Sequence, residues 1–75
     1  MFNKNNLAER LHTLRKERNL SQTQLAESVD VSFHQISKIE KAQRAASIEV
    51  LYSLADYFNV SLDYLVGRSD EPERR

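Results

Sequence analysis

The chain contains no cysteine. Disulfides and thiolate metal sites are therefore excluded, and the composition is compatible with a reducing compartment. The two histidines, His12 and His34, stand too far apart in sequence to suggest a metal site. One glycine and one proline in 75 residues leave little of the punctuation that a turn-rich β fold needs, which argues for helices. No apolar run approaches the roughly 18 residues of a membrane span. The opening MFNKNNLAER has no apolar stretch of the signal-peptide kind. A soluble, cytoplasmic protein with no membrane partner is expected. There is also no glycine-rich phosphate loop, no nucleophile–base pair and no ligand cluster. An enzyme is not expected, nor a metal, a cofactor or a small-molecule ligand.

Net charge is absent too, at zero, but the balance is uneven along the chain. Residues 1–44 carry eight Lys/Arg against five Asp/Glu, and residues 45–75 carry three against six. A basic front half and an acidic back half suit a protein that turns one face to an anion, although ordinary mixed surface charge accounts for the pattern nearly as well. Zero net charge argues against strong non-specific binding to nucleic acid.

What the chain does have is helical periodicity. Leu7, Leu11 and Leu14 form a first stripe, and Asn6 with Glu9 reads as its capping box, with an end near Arg18 or Asn19. Ser21 with Gln24 opens a second helix bearing Leu25, Ala26 and Val29. Asp30, Val31 and Ser32 break it, and Ser32 with Gln35 opens a third whose inward residues are Ile36 and Ile39. A polar loop near 41–46 follows. Ser47 is the expected cap of a fourth helix through Phe58, with Ile48, Leu51, Leu54, Ala55 and Phe58 facing inward. Ser61 caps a short fifth helix, Leu62 to Val66, ended by Gly67 in the left-handed manner. The reading is all-α: one compact five-helix bundle over residues 1–67, with 68–75 a charged flexible tail.

The stretch LAESVDVSFHQISKIE, residues 25–40, with the closing NVSLDYLVG, resembles the phage-repressor (Cro/repressor, XRE-type) helix-turn-helix family. The resemblance runs from about Leu7 to Gly67. It implies a lambda-repressor-like fold in which helices 2 and 3 are the helix-turn-helix. It also implies a transcriptional regulator, most often a repressor, that binds a double-stranded DNA operator. Two positions depart from the family pattern. Asp30 stands where a turn glycine is usual, and aspartate tolerates that backbone better than most residues. Ala42 stands where glycine often follows the second helix. Positive φ there would cost on the order of 1 kcal/mol, so a different loop path is expected.

Carried over by position, the residues that read base edges are Ser32, Phe33, His34, Ser37 and Lys38. Lysine can donate to guanine, serine to several bases, and an aromatic ring can cover the thymine methyl. Phe33 could equally belong to the core beside Ile36. Gln22, Lys41, Gln43 and Arg44 are the expected phosphate contacts, with a capping role the alternative for Gln22. Arg15 and Glu40 correspond to a family ion pair between the first helix and the end of the third. His12 is given no chemistry. Tyr57, Phe58, Leu62 and Tyr64 are the expected dimer interface, because one recognition helix reads too few base pairs and a homodimer over an inverted repeat reads more. The alternative is a protein-binding adaptor or antitoxin on the same fold.

Overall fold

Every helix begins at a side chain that takes over one of the backbone donors a helix start leaves unpaired. In the computed structural model, which describes residues 3–73, α1 spans Lys4–Glu17, α2 Gln22–Ser28, α3 Phe33–Glu40, α4 Ile48–Phe58 and α5 Leu62–Leu65. Ser21 and Ser32 each close a full capping box with Gln24 and Gln35. Ser47 and Ser61 accept from the amides of Val50 and Tyr64. The first cap differs from the sequence reading. Asn3, not Asn6, caps α1, accepting from the Asn5 amide at 2.8 Å. The helix starts earlier because Asn3 offers a cap one turn ahead of Leu7, the first fully buried side chain. Asn6 instead lies against Gly67, where an added Cβ would stand 2.6 Å from the Asn6 Cβ.

The helix ends share one device. Asn19, Asp30, Ala42, Asn59 and Gly67 all take positive φ, between 56° and 84°. Beyond each, an amide reaches back to close a Schellman-type turn. The bonds are Leu20 to Arg15 (3.1 Å), Val31 to Ala26 (3.0 Å), Gln43 to Lys38 (2.9 Å), Val60 to Ala55 (3.0 Å) and Arg68 to Asp63 (2.7 Å). The loop after α3 therefore does not take the different path expected for an alanine. Ala42 sits at φ 58°, and the bonds of Ala42 to Ile39 and Gln43 to Lys38 hold it there. Ala42→Gly should relieve this and raise stability by about 0.5–1 kcal/mol, read as a higher midpoint in thermal unfolding. An unchanged or lower midpoint would show that the strain is already relaxed.

The core is one cluster: Leu7, Leu11 and Leu14 of α1, Leu25 and Ala26 of α2, Ile36 and Ile39 of α3, Leu54, Ala55 and Phe58 of α4, and Leu65 of α5, joined by Val29 and Val60. α3 packs against both α1 and α2, while α5 packs against α1 and α4. One residue expected inside is outside. Ile48 is 60 % exposed, because it opens α4 directly after the Ser47 cap, ahead of where the buried stripe begins. With Tyr52 one turn later (54 % exposed), it forms an apolar strip on the surface of α4. Residues 68–73 run back toward the α4–α5 junction: Asp70 meets Arg10 at 2.9 Å, and the Ser61 amide donates to the Pro72 carbonyl. The last two residues of the expected tail, Arg74 and Arg75, lie outside the described residues. No helix among the described residues is long and apolar enough to cross a membrane.

Candidate nucleic-acid interface

α3 has two faces because its periodicity does. Ile36 and Ile39 are 0 % and 1 % exposed, which turns positions 33, 34, 37 and 38 onto an outward arc of about 140° at 100° per residue. Phe33, His34 and Lys38 are exposed and Ser37 is half-buried. Phe33 is 45 % exposed, so it is a boundary residue with much of its ring presented outward. Its ring meets that of His34 edge-on, with centroids 5.8 Å apart. Ser32 is more constrained than its place in the pattern suggests. Its hydroxyl accepts from the Gln35 amide at 3.1 Å and lies 3.4 Å from Gln35 Oε1. Its first duty is capping. Just past α3, Lys41, Gln43 and Arg44 are all exposed beside the Ala42 turn.

One buried carboxylate ties α3 to α1 and α2. Glu40, whose side chain is 4 % exposed, accepts from Arg15 Nε at 2.7 Å on Oε2 and from Arg15 Nη2 at 2.9 Å on Oε1. This is the bidentate fork that guanidinium and carboxylate form best. Arg15 Nη1 also donates to the Leu20 carbonyl at 2.8 Å, which pins the turn between α1 and α2. Gln22 Nε2 donates to Glu40 Oε1 at 3.2 Å, and His12 Nδ1 stands 3.2 Å from the same oxygen. α1, α2 and α3 thus converge on a single side chain. Burial pushes the Glu40 carboxyl up, but hydrogen bonding, from Arg15 above all, outweighs it and holds the group below the ordinary carboxylate range. The hydrogen bond to Glu40 raises Arg15 further, so the guanidinium stays charged.

Gln22 therefore reaches Glu40 in this structure, with one amide hydrogen committed there. His12 belongs to the cluster although sequence reasoning gave it no role. The available signal was its place one helical turn before Arg15 on the same side of α1. A second omission is Arg18. It donates to the carbonyls of Tyr57 and Phe58 at 3.0 Å each and lies over both rings, at 5.4 and 5.0 Å, closing the C-terminal end of α4.

These contacts bear on the expected dimer residues. Phe58 is a correction: at 3 % exposure it is a core side chain with almost no surface to offer, because the α4 stripe carries it inward beside Leu54 and Ala55. Tyr57 and Tyr64 are half-buried, and Arg10 covers the Tyr64 ring at 4.1 Å. Leu62 is half-buried and lines an open groove with Tyr52.

Two short capped helices, a tight turn with Asp30 at positive φ and an outward arc on the second helix define a helix-turn-helix. The chain matches the helix-turn-helix family HTH_3 over residues 11–65 and belongs to that family. It is 34% identical over 62 residues to the cryptic phage CTXphi transcriptional repressor RstR of Vibrio cholerae, covering 83% of this chain and 55% of that one. It is 38% identical over 61 residues to the HTH-type transcriptional regulator PrpR of Mycobacterium tuberculosis, covering 81% of this chain but 13% of that protein. The chain thus spans only part of each relative's length. Among solved structures it resembles the restriction-modification controller protein C.AhdI from Aeromonas hydrophila, with TM-score 0.76, 26% identity, and coverage of 83% of this chain and 94% of that one. The compact helical fold of repressor-type regulators expected from the sequence is the fold found.

Proposed function

We propose that this chain is a cytoplasmic, sequence-specific transcriptional repressor that binds an inverted-repeat operator as a homodimer, with α3 in the major groove. The observation that carries this reading is the outward arc of α3. Phe33, His34 and Lys38 are exposed with Ser37 half-buried between them, while the Arg15–Glu40 pair ties the helix to α1. Lys38 and His34 would donate to base edges, and Phe33 would cover a thymine methyl. Ser32 would add a contact where the cap leaves its hydroxyl a lone pair. Lys41, Gln43 and Arg44, with Gln22, would grip the phosphate backbone on either side. The kinship with RstR, named as a repressor, supports the regulatory sign.

The size of the domain supports the dimer. The domain measures 27 × 22 × 21 Å, so two copies side by side suit half-sites about 34 Å apart, one turn of DNA. Leu62, Tyr57 and Tyr64 remain candidates for the two-fold contact, and Ile48 and Tyr52 join them as the most exposed apolar side chains of α4. The same strip favours a second reading, an adaptor or antitoxin whose main partner is a protein.

Retention on a random-sequence duplex pool, followed by sequencing, separates the two. An enriched inverted repeat supports the repressor; no enrichment supports the adaptor. On an enriched site, Lys38→Ala should cost about 1–3 kcal/mol of binding and relax preference at one position. Lys41→Ala or Arg44→Ala should weaken all sequences alike and lower the salt slope by about one. A Lys38→Ala variant with unchanged affinity and preference would remove that residue from the interface.

A further inference from the structure

The Glu40 carboxylate holds more donors than one of its oxygens can serve. Oε1 lies within reach of Arg15 Nη2 at 2.9 Å, Gln22 Nε2 at 3.2 Å and His12 Nδ1 at 3.2 Å. A carboxylate oxygen offers about two lone-pair directions. Arg15 has the shortest contact and a second bond to Oε2, so it keeps its place. Gln22 and His12 compete for what is left. His12 has an alternative: its Nδ1 is also 3.3 Å from Arg15 Nη2, from which a neutral ring in the other tautomer accepts.

We propose that His12 is a proton-linked positioning residue for DNA, which frees Gln22 for a backbone phosphate when the imidazole is protonated. The proposal rests on the DNA-binding reading above. With neutral His12, Nδ1 accepts from Arg15 and Oε1 serves Gln22, whose amide is then occupied inside the protein. With protonated His12, Nδ1–H donates to Oε1 as a charge-assisted bond and displaces the weaker neutral amide. Gln22, at the first turn of α2, then turns outward. The same proton adds one positive charge beside the phosphate that Gln22 would hold, within a Debye length of it. Both effects favour the protonated form in the complex. By linkage, DNA affinity rises as pH falls through the range in which histidine changes charge, and binding takes up a proton.

The groups that set this balance are few. Glu40 faces the ring from α3, Arg15 from α1, and α2 contributes only the neutral Gln22. Glu9 and Lys16 flank it one turn away on α1, with opposite charges. The His12 side chain is 53 % exposed, so the proton can exchange with solvent without unfolding.

The test uses a mixed-sequence duplex of about 30 base pairs, some three helical turns, because a phosphate contact does not depend on sequence. Affinity is measured at one low ionic strength from about pH 7.5 to about pH 5.5, the histidine range. The wild-type protein should tighten by about fivefold, the low end of ordinary coupling between sites. His12→Gln should flatten the profile, Gln22→Ala should reduce the gain, and His34→Gln should retain most of it. A gain that persists in His12→Gln, disappears only in His34→Gln or is unaltered in Gln22→Ala overturns the proposal. Should His12→Gln fail to fold, NMR titration of the wild-type His12 ring decides. A midpoint moved to higher pH by the duplex supports the linkage, and an unmoved one overturns it. Binding with a profile independent of His12 leaves the DNA reading standing. Failure to bind this duplex and every member of the random-sequence pool, at any pH, overturns both.

Discussion

Arg15→Ala is expected to unfold the domain at ordinary temperatures or bring it close to unfolding. The substitution leaves Glu40 buried without its bidentate partner and removes the anchor on the Leu20 carbonyl. Breaking one side of a buried pair costs about 3–5 kcal/mol. A domain this small has little more than that in hand, since single domains hold about 5–15 kcal/mol and small ones sit low in that range. Thermal unfolding followed by circular dichroism should show a midpoint lower by roughly 15 °C or more. Replacing the pair together, Arg15→Met with Glu40→Leu, should recover most of the loss, because two apolar side chains of similar size do not need desolvated charge to be compensated. A double variant no better than Arg15→Ala would show that the Leu20 anchor, not the ion pair, is what matters.

The same carboxylate gives the stability a defined dependence on pH. The folded-state pKa of Glu40 lies below its unfolded value, so its contribution is complete above the ordinary carboxylate range. It is lost as pH falls through the lower, folded value, where the unfolded state has already bound the proton. Acid unfolding should therefore be steeper in the wild type than in Glu40→Gln, which has no proton to take up there. Equal acid profiles would mean that other carboxylates carry the acid sensitivity.

Most of this architecture was legible because its signals are local. A serine followed three residues on by glutamine announces a capping box wherever it occurs, and Ser21/Gln24 and Ser32/Gln35 both form one. Asn6 with Glu9 carried a similar signal but was overridden. Asn3 caps one turn earlier, and Lys4, Asn5 and Asn6 follow into the helix. What stayed hidden depends on partners distant in sequence. Ile48 keeps the period of the α4 stripe yet lies beyond the edge of the core, which no periodicity reveals. His12 and Glu40 are separated by 28 positions, and Arg18 reaches carbonyls 39 and 40 positions away. Ala42 shows the converse: the loop obeys the fold, not the residue. Its backbone bonds on either side outweigh a penalty on the order of 1 kcal/mol.

The two faces of α3 should come apart under mutation, and this is the sharpest available test of how the site is built. Ile36 has no exposed surface, and Ile36→Ala should cost about 2–5 kcal/mol of stability, the cavity and transfer loss of a large aliphatic side chain. Phe33 lies three positions earlier on the same helix but is 45 % exposed, and Phe33→Ala should cost about 1 kcal/mol or less. On an enriched duplex the order should reverse once both proteins are folded. If Phe33 reads a base as proposed, Phe33→Ala should lose about 1–3 kcal/mol of binding, with the loss concentrated at one position of the site. Ile36→Ala, measured at a temperature where it remains folded, should bind nearly as well as the wild type. Equal stability losses from the two substitutions would return Phe33 to the core and shift base reading onto His34, Ser37 and Lys38. The distinction matters because the Glu40 clamp fixes only the helix axis. Rotation about that axis decides which side chains face outward, and Ile36 and Ile39, locked into the core, set it.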